Sequence, residues 1–206
     1  MPRTDEQYEE MRRVTREKIH SAAIKLFAKK GLVATSVKDI ANDAEISIGL
    51  MYRHYRTKED LFKALVSYAS DGLQVIVDRF QKDVSPMELI QQFTNEMLDD
   101  LKKGEEFANF LMLMNQAATM EESTPEIDLL NKRSEALLTK TAQIIEKGQK
   151  LGQFKKGNPN ELVIYYFSTI QGLAMTKLTM NERYVSPSDQ IVLSFLIDGE
   201  CTKFEV

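Results

Sequence analysis

Residues 35–55 read TSVKDIANDAEISIGLMYRHY, and this stretch decides the fold of the N-terminal part of the chain. The spacing of its apolar residues predicts a short helix over 37–43 and a second over 48–52. Residues 43–46 form a turn between them, and Ser47 is placed to cap the second helix. Two short helices joined by a tight turn, with small residues facing inward, are typical of a helix-turn-helix motif.

The second short helix is the one that enters the major groove of DNA in such a motif. Gly49 has no side chain and lets this helix approach base edges or phosphates closely. Ile48 and Leu50 suit thymine methyl groups, and Arg53 suits guanine or phosphate. For His54 the alternative is a surface histidine without a role. The predicted DNA-binding residues are Thr35, Ser36, Lys38, Ser47, Ile48, Gly49, Leu50, Tyr52, Arg53, His54 and Lys58.

The charge of the chain is unevenly distributed. The formal net charge is −4, but residues 11–58 contain eleven basic and four acidic side chains and carry +7, so the remainder carries −11. A basic N-terminal module on an acidic body fits a negatively charged partner such as double-stranded DNA. The alternative is a basic helix face that is merely solvated.

Helix signals continue along the rest of the chain, whereas strand signals are nearly absent. Four of the five prolines follow Ser, Thr or Asn, as at a helix start with an N-cap and proline at the first position: 85–86, 124–125, 158–159 and 186–187. Gly31, Gly104 and Gly152 lie where predicted helices end. The sequence therefore predicts an all-α fold of nine helices: one from a capping box at Thr4 and Gln7 to about residue 30, then 37–43, 48–52, 58–81, 86–103, 105–118, 125–151, 159–181 and 187–202.

The last two predicted helices are apolar on nearly every side, over 162–178 and 191–197. A helix that is apolar all round is buried all round, which near the C-terminus favours a homodimer interface. Small residues at four-residue spacing allow two such helices to approach closely. The alternative is a central core helix in a monomer. The predicted interface residues are Tyr166, Ser168, Gly172, Thr176, Val192, Phe195 and Leu196.

Several classes of protein are disfavoured by what the sequence does not contain. It has no Gly-rich phosphate loop, nucleophile elbow or zinc-protease motif, so an enzyme is not expected and no cofactor is predicted. One cysteine, Cys201, excludes an internal disulfide and is expected to be a small buried hydrophobe; two histidines leave little for a metal site. No apolar run approaches ~18 residues, so no membrane span is expected. The charged start MPRTDEQYEEMRR has no apolar segment of a secretory signal, and we expect a cytoplasmic protein.

One ordered pattern runs through the N-terminal segment. Its positions are Thr35, Ser36, Ile40, Ala41, Ala44, Glu45, Ile46, Ser47, Gly49, Met51, Tyr52, His54, Tyr55, Lys58, Glu59 and Leu61, preceded by Ala23, Phe27 and Gly31. With this pattern, residues 12–70 resemble the TetR/AcrR-type transcriptional regulators. Glu45 departs from that family's turn glycine, so we expect it either to avoid a positive φ or to be strained. Met51 and Tyr55 are conservative changes at packing positions.

The resemblance implies the organisation of the whole chain. It implies a helix-turn-helix DNA-binding domain over 1–60 and a ligand-binding and dimerisation domain over 61–206. It also implies an Ω-shaped homodimer in which the last two helices of each subunit form a four-helix interface. In such proteins a ligand in the body changes the separation of the two DNA-reading heads.

The middle helices offer candidates for that ligand site. The segment FANFLMLMNQAATM over 107–120 is rich in Met and Phe, which suits a pocket for an apolar or aromatic ligand. The alternative is ordinary core packing. The nearby acids over 96–106 favour a cationic ligand, or else form a solvated face. The predicted lining residues are Phe93, Met97, Leu101, Phe107, Phe110, Leu111, Met114, Tyr165 and Gln171.

Together these features predict a ligand-responsive repressor that binds a palindromic operator as a homodimer and is released by a small, largely apolar effector. The two recognition helices are expected about 34–36 Å apart. Lys58 and His54 are expected to contribute to the salt dependence of DNA binding. The alternative is a helical small-molecule-binding protein that no longer binds specific DNA, which Glu45 favours.

Overall fold

Helices form most of the chain that the structure describes. The structure is a computed structural model that describes residues 5–197. Within that range it contains nine α-helices and no strand, which confirms the predicted all-α class. The helices are α1 (Asp5–Ala34), α2 (Val37–Asp43), α3 (Ile48–His54), α4 (Lys58–Arg79), α5 (Pro86–Lys103), α6 (Glu106–Ala118), α7 (Pro125–Lys150), α8 (Pro159–Met180) and α9 (Asp189–Val192), with a 3₁₀ turn at Asn181–Arg183. The predictions for Thr4 and Cys201 fall outside the described residues.

The expected side-chain caps form at four helix starts. Ser47, Thr57 and Thr124 precede α3, α4 and α7, and each accepts a hydrogen bond from the backbone N–H three residues further on, at 3.1, 3.0 and 3.4 Å. Asn158 caps α8 through the N–H two residues further on, at 3.0 Å. Ser85 precedes α5 without such a bond. These caps confirm that local polar residues set the starts of the long helices.

The last predicted helix is wrong in both its start and its length. Ser188, not Ser186, is the N-cap of α9, and α9 ends at Val192 rather than near residue 202. Residues 193–196 continue as turns. The reason is tertiary: the carbonyls of Ser194 and Leu196 accept hydrogen bonds from the side chain and backbone of Lys155, at 2.8 and 2.9 Å.

The first core cluster joins the N-terminal helices to the body. The predicted stripe of α1 over 19–27 is buried, and Phe27 packs edge-on against Phe62 of α4, with ring centroids 6.0 Å apart. Gly31 interrupts α1 with a φ of 80°, close to the predicted end of the helix. Leu113 of α6 and Ile127 of α7 complete the same cluster. The N-terminal head, defined here as residues 5–60, therefore shares a continuous core with the body that follows it.

The second core cluster holds the body together through aromatic rings. Phe93 of α5 lies edge-on to Phe80 and Phe167, at centroid distances of 5.2 and 6.4 Å. Tyr166 and Thr94 form a fully buried hydroxyl pair at 2.8 Å. Thr94 donates its own proton to a backbone carbonyl one turn earlier, so Tyr166 is the donor of the pair. Burial raises the pKa of Tyr166, which keeps this hydroxyl protonated.

One close approach in the body requires a glycine. Gly148 lies near the end of α7, and the ring of Phe154 from the following loop folds back onto it. A Cβ at position 148 would lie 2.1 Å from Cδ2 of Phe154, far inside van der Waals contact. Phe154 itself is buried. The missing side chain therefore lets the loop seal the end of the body core.

Candidate nucleic-acid interface

The helix-turn-helix is built on a small, fully apolar inner face. Ile40 and Ala41 of α2 and Met51 of α3 are completely buried against α1 and α4. Ser36 caps α2 and forms a capping box with Asp39: the Asp39 N–H donates to Ser36 Oγ at 3.1 Å, and the Ser36 N–H donates to the Asp39 carboxylate at 3.0 Å. These contacts fix the angle between the two short helices.

The turn after α2 is a Schellman motif, with Glu45 at its left-handed position. The Ile46 N–H donates to the Ala41 carbonyl at 3.0 Å, and the Glu45 N–H donates to the Asn42 carbonyl at 3.1 Å. Glu45 has a φ of 55°, a region that favours glycine. The expectation of strain is therefore confirmed, and the carboxylate remains exposed on the surface.

The outer face of α3 combines apolar side chains with a cation. Ile48 and Tyr52 have exposed fractions of 42% and 53%, although both are large apolar residues. Gly49 lies between them, and a Cβ placed on it meets no atom within 4 Å. Arg53 is also exposed. Ser47, at the start of the helix, is exposed, and Leu50 is half-buried. An apolar strip with an open backbone at its centre suits close contact with another surface.

An open depression beside α3 is lined by side chains from three elements, two of which are cationic. Its walls include Lys38 of α2, Tyr52 of α3 and Arg56 from the loop before α4. Ser36 also lines it, with its hydroxyl engaged in the capping box. Sequence analysis missed Arg56; its position one residue after Tyr55 in the basic segment was the available signal. Exposed guanidinium, ammonium and phenol groups around one depression are suited to phosphate oxygens.

Two of the predicted DNA-binding residues are structural instead. Thr35 is 1% exposed, and its hydroxyl donates to the Gly31 carbonyl at 2.8 Å. Lys58 Nζ donates to three backbone carbonyls near the end of α1, those of residues 32, 33 and 35, at 2.7–2.9 Å. Because all three of its protons are used within the chain, the predicted phosphate contact of Lys58 is wrong. Polar residues at these motif positions hold α1 onto the helix-turn-helix.

His54, at the end of α3, is half-buried and lies near the cations of α1. Partial burial, together with the positive charges of Arg16 and Arg12, lowers its pKa. The surroundings of His54 in the free protein therefore disfavour its protonated form, whereas a nearby phosphate would favour it. The contribution of His54 to the salt dependence of DNA binding stays a prediction.

His20 and Tyr55 link α1 to the end of α3. The two side chains lie 2.7 Å apart, from His20 Nε2 to the Tyr55 hydroxyl. Burial lowers the pKa of His20, with the charge of Arg16 adding to the effect, and burial raises the pKa of Tyr55. Which of the two groups donates depends on the tautomer of the His20 ring. This bond orients the C-terminal end of α3 relative to α1.

The geometry thus defines a helix-turn-helix motif. Its second short helix is exposed on the face that carries Ile48, Tyr52 and Arg53, and basic side chains flank that face. The inner face is fixed by caps and a compact core.

The predicted ligand-lining residues occupy several different packing environments. Phe93, Met97, Phe107 and Leu111 belong to or pack against the second core cluster, and Leu101 lies in a small third cluster. Phe110 and Met114 pack against the first cluster, whereas Tyr165 and Gln171 lie on the exposed face of α8. Tyr165 and Gln171 line no enclosed pocket within the described part of one chain: Tyr165 packs against Phe195, and Gln171 donates a hydrogen bond to Asn115 of α6 at 3.4 Å. The remaining predicted lining residues pack in or against the core clusters, as in the alternative of ordinary core packing.

The predicted dimer residues divide between the two sides of α8 and α9. Tyr166, Val192 and Leu196 are 1–4% exposed and belong to the second core cluster, so assigning them to an interface was wrong. Phe195 is half-buried and packs against Tyr165, with ring centroids 4.8 Å apart. Ser168, Gly172 and Thr176 lie on the exposed outer face of α8.

The outer face of α8 is large, apolar and without charge. Ile164, Tyr165 and Met175 are 58%, 57% and 49% exposed on the same side as the small residues Ser168 and Gly172. Residues 162–176 contain no charged side chain. Burial all round, as predicted for this helix, is therefore not achieved within one chain.

Comparison with known proteins finds similarity to one family in the N-terminal segment. Residues 19–65 match the family model for bacterial regulatory proteins of the tetR family. The uncharacterized HTH-type transcriptional regulator YerO of Bacillus subtilis (strain 168) is 28% identical over 103 residues, which are 48% of this chain and 36% of YerO. The match thus spans about a third of that relative's length. The HTH-type transcriptional repressor KstR2 of Mycolicibacterium smegmatis (strain ATCC 700084 / mc(2)155) is 25% identical over 152 residues, 72% of this chain and 71% of KstR2.

A solved structure has a similar fold over most of its length. AibR, in complex with isovaleryl coenzyme A and operator DNA, superposes with a TM-score of 0.64 at 15% identity, covering 87% of this chain and 94% of AibR. Residues 19–65 of this chain are therefore similar to the tetR family of bacterial regulatory proteins, and the fold of the chain is similar to that of AibR.

The remaining expectations concern metals and membranes. Within residues 5–197, no group of three His, Cys, Asp or Glu side chains is arranged to hold a metal ion. No helix in the described range combines the length and the apolarity that a membrane span requires.

Proposed function

We propose that this regulator is a repressor that binds a palindromic operator as a homodimer and is released by a small, largely apolar effector in the bacterial cytoplasm. The observation that carries the proposal is the face of α3. There Ile48 and Tyr52 are exposed around the open Gly49, with Arg53 beside them. In the proposed complex the apolar side chains contact thymine methyls, and Arg53 contacts guanine or phosphate. Ser36, Lys38, Ser47, Leu50 and His54 remain candidates around this contact, joined by Arg56.

The outer face of α8 supports the homodimer. An uncharged helical face with exposed Ile164, Tyr165 and Met175 is what a subunit interface uses, and a second copy supplies the same surface for isologous packing. Gly172 and Ser168 let two α8 helices approach closely. The dimer would present two α3 helices to successive major grooves, about 34 Å apart.

Direct contacts between head and body support ligand control. The hydroxyl of Ser21 in α1 donates to Glu106 of α6 at 3.2 Å, and Lys29 pairs with Glu105 at 3.1 Å. An effector that favours one position of α6 therefore favours one position of the head, and it lowers operator affinity by its preference between the two states. AibR was solved with a ligand and operator DNA, and KstR2 is a repressor, so this division of labour occurs among proteins with similar chains. A reading head over 1–60 and an effector-binding body over 61–206 remain our proposed division.

Selection of a random duplex library on the purified protein at moderate salt tests the proposal. We expect enrichment of a palindrome with half-sites about one helical turn apart. The selection is repeated with Arg53→Gln and with Lys132→Gln, an exposed lysine of α7 that lies far along the chain from the head. Arg53→Gln should relax the preference at one position of each half-site, whereas Lys132→Gln should retain it. Protein denatured and analysed by mass spectrometry beforehand shows whether an inducer is already bound.

A second candidate is a helical small-molecule-binding protein without specific DNA recognition. The observation in its favour is Glu45, an exposed acid held at positive φ between the two helices of the motif. Sequence-indifferent, salt-sensitive binding by ligand-free protein would support this candidate and reject the repressor.

A further inference from the structure

The first turns of α1 extend beyond the core of the head. The first buried residue of this helix is Ile19, and none of the side chains over 5–18 is buried. Ion pairs within the helix, such as that between Arg12 and Glu9 at 3.0 Å, support these turns instead of a core. We call residues 5–18 the α1 arm. Because the arm packs on no core, its side chains are available to another molecule.

One contact fixes which side of the α1 arm lies next to α3. His20, two residues after the arm, lies 2.7 Å from the hydroxyl of Tyr55, which follows the last residue of α3. Residues four apart share one face of an α-helix, so Arg16 and Arg12 lie on the same side of α1 as His20. Burial lowers the pKa of His54 at the end of α3, and the charges of Arg16 and Arg12 lower it further, as this placement requires. The arm therefore brings two cations to the C-terminal end of α3.

Arg16 is a cation of the arm that its own chain does not neutralise. It is exposed, and it makes no ion pair or hydrogen bond within the described range. Arg13, by contrast, pairs with Glu10 and Glu17 at 2.6 and 2.5 Å. A guanidinium donates several hydrogen bonds in one plane and suits phosphate oxygens well. Arg16 is therefore free to bind an anion beside the end of α3.

Cations flank α3 on two opposite sides. Tyr52 and His54 point about 160° apart, since successive residues of an α-helix turn by about 100°. Tyr52 borders the open depression that Lys38 and Arg56 also line. His54 faces the α1 arm. The major groove of DNA is bordered by a phosphate backbone on each side, so a helix with cations on both of its sides fits between the two backbones.

We propose that Arg16 binds a DNA phosphate beside His54, on the backbone opposite to the one that Lys38 and Arg56 contact. The inference rests on the proposed binding of DNA by α3, and it extends the interface from the helix-turn-helix to the α1 arm. A phosphate contact adds affinity and salt dependence but carries no sequence information. Arg16 thus positions the head on the duplex, while the side chains of α3 contact the bases.

The salt dependence of binding tests this contact. The probe is a duplex of random sequence and about 30 base pairs, or three helical turns, because such DNA reports phosphate contacts whether or not a specific operator exists. Affinity is measured with the full-length protein between about 50 and 200 mM salt. Arg16→Gln should make the slope of log affinity against log salt concentration shallower by about 1.8 for a dimer with both heads on the duplex. Arg16→Lys keeps the charge and should retain most of the slope.

Lys18→Gln is the matched control. Lys18 is exposed on the same helix two residues later, on a face about 160° away from Arg16, so its loss changes the total charge equally. It should leave the slope at the wild-type value. An unchanged slope for Arg16→Gln would overturn the proposal, and so would equal changes in both variants, because total charge would then set the slope. A slope that responds to Arg53→Gln but not to Arg16→Gln would reject only the α1 contact, whereas a wild type that does not bind the duplex would reject the proposed function as well.

Ethylation interference locates the phosphate. On the palindrome enriched by the selection described above, ethylation of one phosphate in each half-site should weaken binding of the wild type and have little effect on Arg16→Gln. An interference pattern that is identical in the two proteins would overturn the contact. The selection repeated with Arg16→Gln should return the same palindrome, because a phosphate contact does not read bases. A changed palindrome would show that Arg16 contacts a base instead.

Discussion

The head and the body fix their shapes by opposite means. In the head, polar side chains bond to the backbone: Ser36 and Ser47 cap short helices, and Lys58 ties three carbonyls together. In the body, aromatic rings that pack edge-to-face, such as Phe80 and Phe93, fix the shape.

The difference changes how each region's surface should be interpreted. Polar residues of the head that look like DNA contacts, such as Thr35 and Lys58, belong partly to its framework. Apolar residues of the body that look like core, such as Ile164 and Tyr165, lie partly on its surface. A short motif cannot bury enough apolar area to hold itself, so it uses hydrogen bonds; a long apolar helix has more apolar surface than one chain can cover.

The largest effect is expected from a charge on the outer face of α8. Gly172→Glu adds a side chain where no atom lies within 4 Å, so the isolated subunit should fold normally. At a dimer interface the same carboxylate would be buried unpaired. We expect a monomer by light scattering and a loss of about a hundredfold in operator affinity, because both heads no longer bind together.

The matched control for that experiment is Gly72→Glu on α4, which is also exposed with open space around it. It should leave both the dimer and its DNA affinity intact. A Gly172→Glu protein that remains dimeric would remove α8 from the interface and make its apolar face an unexplained feature of the body.

The next largest effect is expected at Lys58, and it tests whether this side chain stabilises the fold rather than contacting DNA. Lys58→Met should lower the free energy of unfolding by about 2 kcal/mol, since three backbone carbonyls lose a charged donor. Urea unfolding followed by circular dichroism measures this. DNA binding by folded Lys58→Met protein is then measured at low temperature. The slope of log affinity for DNA against log salt concentration should stay at the wild-type value. Arg53→Gln should make that slope shallower by about 1.8, since the dimer loses one phosphate contact from each of its two heads. A shallower slope for Lys58→Met would restore its role as a phosphate contact.

In the body, Gly148→Ala tests close packing without hydrogen bonds. The new methyl group collides with the buried ring of Phe154, so we expect a loss of about 1–3 kcal/mol in thermal or urea unfolding. In the background of Phe154→Leu the same substitution should cost less, because the two residues share one contact. Equal costs in both backgrounds would show that something other than this ring sets the penalty.

A smaller effect, of opposite sign, is expected at the turn of the head. Glu45→Gly relieves a φ of 55° and should stabilise the protein by up to about 1 kcal/mol, the glycine's greater freedom in the unfolded chain offsetting part of the gain. It also removes an exposed acid beside α3 and should tighten DNA binding. Lower stability of the variant would mean that Glu45 makes compensating contacts.

The smallest effect concerns pH and His20. Since burial lowers the pKa of His20 in the folded state, the unfolded chain binds its proton more readily. The contribution of neutral His20 to stability is complete above the pKa of about 6.5 that histidine has in the unfolded chain. It is lost as the pH falls below that value. Between about pH 7.5 and about pH 5.5, the melting temperature should therefore fall further in the wild type than in His20→Gln, whose amide can still accept the Tyr55 proton. Equal falls would contradict the lowered pKa.

The sequence by itself determined the helical class, most helix starts and the two short helices of the helix-turn-helix. Local rules suffice for these features, because caps, turn residues and the apolar stripe of 19–27 act over three or four residues. The buried inner residues Ile40 and Met51 followed from the same periodicity. Even the strain at Glu45 was visible as a departure from the family pattern.

Only the tertiary structure decided which groups are free to act. Lys58 and Thr35 lost their predicted DNA contacts to carbonyls of α1, and the end of α9 was shortened by Lys155 from a distant loop. Periodicity gives the direction of a side chain on its own helix, but the partner it finds depends on where the other helices lie.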